Sequence, residues 1–233
     1  MNMAPAVARP EFERRLYGGI AVLAALVVFT GFARSYYLRS MFVAVPLPVL
    51  LHVHGAVMSL WYALFLSQVA LVAAHRIDLH RTLGIATATC AAALVPVGAA
   101  VALALLRRSL SDPQAAAEAA GIATYDFVVL AVFAALVVTA LLLRHRSDVH
   151  KRLMTLAAVS LLGPPLARLM PDLTAALVGQ GLVLLPVAVD TWRHRRLHPA
   201  FGWGAALVLV SSGVSVALAE SPAWGAFALH LIN

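Results

Sequence analysis

One cysteine, one lysine and ten acidic residues are all that 233 positions hold of three common chemical types, and each scarcity removes a class of protein. Cys90, alone and inside an apolar run, leaves no disulfide framework and no thiolate metal cluster, and reads as a packing residue. Lys151 lies between apolar runs, so the Schiff-base lysine that a retinal protein carries inside a span is missing. There is no P-loop, no GxSxG elbow and no HExxH helix, which leaves ATP hydrolysis and the familiar hydrolytic mechanisms without support. Charge of either sign is scarce: 12% of residues are charged and 62% hydrophobic, where soluble domains carry roughly 25% charged residues. The bilayer is the solvent. A formal charge of +7 does not indicate nucleic acid, because the basic residues fall in short clusters between apolar runs, where membrane topology accounts for them.

What is present is a series of apolar runs. An uncleaved first span at 17–33 follows a polar, basic segment, and further spans are expected at 47–74, 79–106, 125–143, 153–170, 173–192 and 201–219. Each is near the roughly 20 residues that a membrane helix needs. The expected fold is an all-α, polytopic bundle of seven helices, with a cytoplasmic segment at 1–16, a transmembrane domain at 17–219 and a periplasmic tail at 220–233. With the N-terminus in and the C-terminus out, twelve of the 17 Lys and Arg residues fall on the inner side. The one long connection, 107–124, reads as an outer loop with an Ala-rich interfacial piece, and Pro164-Pro165 should break the fifth helix.

The second span organises the rest. His54, Trp61, Gln68 and His75 recur every seven residues, a spacing that drifts only about 20° per step around an α-helix. They are expected on one interior face, with Leu64 and Leu71 toward lipid. The turn that follows, HRIDLHR at 75–81, returns as HRSDVHK at 145–151 and more loosely as HRRLHP at 194–199. Helices two to seven therefore read as three related hairpins after a separate first helix.

These turns hold the candidate inner site. Asp78 and Asp148 stand where an N-cap acceptor belongs, and Pro199 suits a first helical position. Two readings fit the histidines. In one, the basic residues and helix N-termini meet anionic lipid headgroups. In the other, His80, His150 and His198 converge as neutral imidazoles on one transition metal (Fe, Cu or Zn) or a haem b, with Asp78 and Asp148 orienting them. A second polar group, His54, Asp126 and Arg168, is expected toward the outer side as a charge pair or a small pocket, with Tyr36, Tyr37 and Arg39 over it.

The segments FARSYYLRSMF, LPVLLHVHGAVMSLWYALFLSQVALVAAHRIDLHRTLG, DVHKRLMTLA and LHPAFGWG resemble a group of bacterial seven-helix membrane proteins with HxHG…W…Q…DxHR and DxHKRLM motifs. The resemblance implies a fold and a bacterial inner-membrane setting, and no activity. More remotely, HGAVM at 54–58 and the histidines at helix ends are similar to the di-haem cytochrome b membrane proteins, in which paired histidines bind haem. His54 and His75 are 21 residues apart, about 31 Å along a helix, so that likeness leaves one inner haem or metal. The functional expectation is a His-ligated metal or haem redox protein, a membrane oxidoreductase. The alternatives are a permease for protons or small solutes, and an assembly factor for a membrane complex or a homo-oligomer.

Overall fold

A computed structural model of the chain describes residues 8–219 together with 221 and 224, so the tail expected at 220–233 lies mostly outside the described residues. Among these residues all regular structure is helical. Helix α1 is Ala8–Phe32, running on into a π-turn at Ala33–Tyr37 and a 3₁₀ turn at Arg39–Met41. It is followed by α2 (Val49–Ala73), α3 (Ile77–Ser109), α4 (Pro113–Leu142), α5 (Ser147–Ser160), α6 (Gly163–Ala167), α7 (Asp172–His194) and α8 (Pro199–Ala219). Six of these, α1, α2, α3, α4, α7 and α8, are long and apolar enough to cross a membrane. Helix α1 starts well before position 17, so 8–16 is part of that helix and not a separate segment.

The expected fifth span is two pieces. Helix α5 has 14 residues, about 21 Å at 1.5 Å per residue, which is short of the roughly 30 Å of hydrocarbon. Gly163-Pro164-Pro165 explains the break: each proline lacks a donor for the preceding turn and its ring clashes with that turn's carbonyl. Helix α5, continued by α6, occupies the centre. Leu153, Leu156, Ala157 and Ala158 are fully buried, with α1, α4, α7 and α8 packed around them.

Lipid tails are as apolar as leucine, so close packing and not transfer from water holds such helices together. Small residues make that packing possible. A Cβ on Gly31 would meet the backbone oxygen of Pro165, which brings α1 onto α6, and one on Gly204 would meet Leu156, which brings α8 onto α5. A second centre forms where Trp61 of α2 stands edge-on to Phe133 of α4 at 5.0 Å.

The long outer loop expected at 107–124 is not a loop. Helix α3 continues to Ser109, and after three residues α4 begins at Pro113, with Asp112 as N-cap accepting from the backbone N–H of Gln114 at 2.9 Å. Ala119, Ala120 and Ala123 pack on Ala102 and Leu106 as a small separate core. Alanine is the best helix former, so the Ala-rich run extends the hairpin.

Candidate functional site

The three His-rich turns meet at one end of the bundle. His198 binds Asp148 there, Lys151 is paired to Glu13 of α1 at 2.6 Å, and Arg14 donates to the carbonyl of Ala73 at 3.3 Å. Helices α3 and α5 begin at Ile77 and Ser147, so Arg76 and Arg146 are the N-caps. Asp78 and Asp148 are therefore first-turn acids that favour the helix dipole, not capping acceptors. Pro199 does open α8, as expected.

The expected triad does not close on a metal. The Nδ1 of His198 accepts from the backbone N–H of Ala200 at 3.2 Å, and its Nε2 faces Asp148 Oδ2 at 3.1 Å, so both ring nitrogens are committed. His150 directs Nδ1 at the carbonyl of Ala140, 2.8 Å away. His80 lies within electrostatic reach of His150 and is hydrogen-bonded to the backbone of Gln68. Among the described residues no group of three His, Cys, Asp or Glu side chains is placed to hold a metal ion. A single ion held by all three histidines does not fit this set: His198 would have to give up one of its two hydrogen bonds to ligate. At Asp148, partial burial acts to raise the carboxyl pKa. The His198 hydrogen bond, a backbone N–H and the nearby Arg146 outweigh it and hold the group below the ordinary carboxylate value.

The same end holds a site that the sequence reading passed over. Arg152 of α5 grips Asp190 of α7 through Nη2, at 2.7 and 2.9 Å from the two carboxylate oxygens, and through Nε at 3.1 Å. Their side chains are 5% and 1% exposed. Arg152 also donates to the carbonyl of Asp148 at 2.7 Å and lies over the ring of Phe201. His194, one turn beyond Asp190, places Nδ1 at 2.9 Å from its carbonyl and 3.4 Å from its carboxylate. The Tyr17 hydroxyl of α1, buried without a hydrogen-bond partner, lies within electrostatic reach of Arg152, Asp190 and Glu13. The signal was available: Asp190 is an acid inside an apolar run, and such a residue usually marks function or a partner.

On α2, Trp61 and Gln68 face inward as expected, and Gln68 Nε2 donates to Thr87 of α3 at 3.0 Å. His54 is half-buried. His75 leaves the stripe, because α2 ends at Ala73 and His75 sits exposed in the turn in a left-handed conformation with φ 59°. Leu64, expected toward lipid, is buried, since Trp61, Leu64, Phe65 and Gln68 follow the i, i+3, i+4, i+7 face of the helix. Lipid takes Leu60 and Val72 instead.

At the opposite end, Asp126 and Arg168 influence one another electrostatically, and Arg168 also acts on His54. Asp126 and Arg168 do not form an ion pair of 4 Å or less. Arg168 Nη1 donates to the carbonyl of Pro164 at 2.8 Å and its guanidinium lies 4.5 Å over Phe32, which caps the broken helix. Tyr125 packs its hydroxyl against Gly163. Tyr36 and Tyr37 fold over the start of α2, bonding the carbonyl of His52 and the hydroxyl of Ser59, and Arg39 is held by the carbonyl of Val45. No protein-family model, curated protein or solved structure matches the chain.

Proposed function

We propose that the chain is a multi-pass permease of the bacterial inner membrane, passing protons or a small solute along the interior around α5. The observation that carries this reading is the buried Arg152–Asp190 pair with the unpartnered Tyr17 hydroxyl beside it. Taking two charges out of water costs several kcal/mol per ion, and an apolar pair of similar volume would pack as well or better, so stability alone gives such a pair little reason to exist. Ionisable groups at membrane depth face pathways far more often than they face lipid. His194, partly exposed and bonded to Asp190, can carry a proton on either ring nitrogen and links the pair to water.

Three further features support a path. The α5–α6 segment is a discontinuous helix, as in transporters whose broken helices line the translocation site. Trp61 Nε1 and Gln68 Oε1 are buried polar atoms without protein partners, each worth roughly 1–3 kcal/mol if left unsatisfied, and a passing solute or water would satisfy them. His54, Asp126 and Arg168 form the polar group of the other end, with Asp126 about 21 Å along α4 from Ala140. In this reading the His-rich turns and the N-terminus are cytoplasmic and the C-terminus periplasmic, by the distribution of Arg and Lys.

The test is flux. Purified full-length protein in liposomes with a trapped pH dye, under an imposed pH gradient and clamped potential, should dissipate the gradient faster than protein-free liposomes. Arg152→Gln and Asp190→Asn should bring the rate to background while eluting as the same monodisperse species. If neither proton flux nor osmotic swelling with small neutral solutes exceeds the protein-free rate, the permease reading fails and an assembly role takes its place.

A further inference from the structure

Between the inner ends of α4, α5 and α8 the surface opens into a cleft of about 170 Å³. Its floor is apolar, built by Leu143, Val149 and Ala200, and its rim carries Arg146 and His198. Trp203, 58% exposed, forms the side that turns outward from the bundle. The turns that bound the cleft are basic: Arg144, Arg146, Arg195 and Arg196 are all exposed. The carboxylate at the mouth, Asp148, is already bonded to His198. Among the described residues the Arg146 side chain makes no hydrogen bond or ion pair, although its field reaches Asp148. The cleft thus joins apolar lining residues to a cationic rim whose Arg146 has no partner of its own.

We propose that this cleft binds one anionic phospholipid of the adjoining leaflet. Its phosphate lies on the Arg146 guanidinium, which suits a paired-oxygen acceptor, and the first carbons of an acyl chain lie on Leu143, Val149 and Ala200 beside Trp203. An amphipathic tryptophan at this depth is the residue type that sits at headgroup level. The charge pattern selects the lipid class. A zwitterionic headgroup would bring its ammonium among four arginines with Asp148 already engaged, whereas a glycerol headgroup leaves the phosphate charge for Arg146. A free anion would use the rim and leave the floor empty. The His198–Asp148 bond serves this site by fixing the start of α8 against the start of α5, which sets the width of the cleft.

Neither Arg152 nor Asp190 lines the cleft, so a failure of flux and a failure of lipid binding are different results. Native mass spectrometry of the delipidated full chain, titrated with phosphatidylglycerol or phosphatidylcholine, tests the proposal. Phosphatidylglycerol should fill a first site more tightly than phosphatidylcholine. Arg146→Gln should weaken that site about fivefold, the effect of one basic residue at an anionic surface. Thr139→Phe, which puts a ring into the cleft, should abolish it, and Arg108→Gln in the far turn should leave it unchanged. Thermal unfolding of each variant checks the fold, and if Thr139→Phe is unfolded, Arg146→Gln decides alone. Equal binding of the two lipids, an Arg146→Gln effect no larger than that of Arg108→Gln, or full displacement of lipid by soluble glycerol phosphate would each overturn the proposal.

Discussion

Arg152 carries two obligations that a surface arginine does not: it must neutralise Asp190 and it must remain hydrogen-bonded after losing water. Four bonds to Asp190 and Asp148 meet both, and the ring of Phe201 covers the guanidinium face. Removing one partner strands the other. Arg152→Met should therefore destabilise the protein by about 3–5 kcal/mol, whereas Arg152→Met combined with Asp190→Leu should recover most of that loss. Tryptophan-monitored unfolding in detergent reads both. Should the double variant be no more stable than the single, the loss is not that of a stranded buried charge, and the pair itself holds α5 to α7. The same scale explains why the histidines misled. Threefold repetition identified His80, His150 and His198 as equivalent in sequence, but repetition sets no distance. Their nearest partners, a backbone carbonyl for His150 and a backbone N–H and a carboxylate for His198, are invisible in a one-dimensional pattern. Asp190 is legible as an acid standing alone in an apolar run, whereas its partner Arg152 is not, because it follows directly on a basic turn.

Helices in this bundle are held by how closely their backbones approach, and α1 against α6 is the tightest test. At Gly31 an added Cβ runs into backbone of α6 that cannot rotate away, whereas at Gly181 it meets nothing. Gly31→Ala should lower the unfolding temperature, and Gly181→Ala should leave it equal or slightly higher, since alanine gains roughly 0.5–1 kcal/mol over glycine within a helix. A matching loss at both positions would mean that α1 is not seated on Pro165. The spans themselves were largely legible, because hydropathy over 20 residues is a strong signal and Pro164-Pro165 marked the break. Two things were not. Hydropathy averages over a break, so it could not show that the fifth segment runs from the histidine turns to the Arg168 end as two short helices, α5 and α6, and not as one span. Nor can it follow a helix out of the membrane: the Ala-rich 115–120 segment is too weakly apolar to score, while its propensity and the Asp112 cap continue α4 regardless.

For the molecule as a whole, sidedness is the first quantity to fix. In the proposed topology, cysteine labelling of intact cells on a Cys90→Ala background should leave Ser147→Cys unmodified and modify Ser111→Cys, with the reverse in inside-out vesicles. Labelling of both from the same side would remove the inner assignment of the histidine turns, and with it the leaflet of the lipid cleft. The α3–α4 hairpin bears on a practical matter as well. Helix α3 has 33 residues, about 50 Å, against roughly 30 Å of hydrocarbon, and its tip turns in only three residues over alanine-on-alanine contacts. Two helices joined that tightly make a short mast. A helical fusion spliced in at 109–113 would be carried as a rigid extension of the bundle, giving a 24.6 kDa particle otherwise hidden in its detergent belt a landmark by which single images can be oriented.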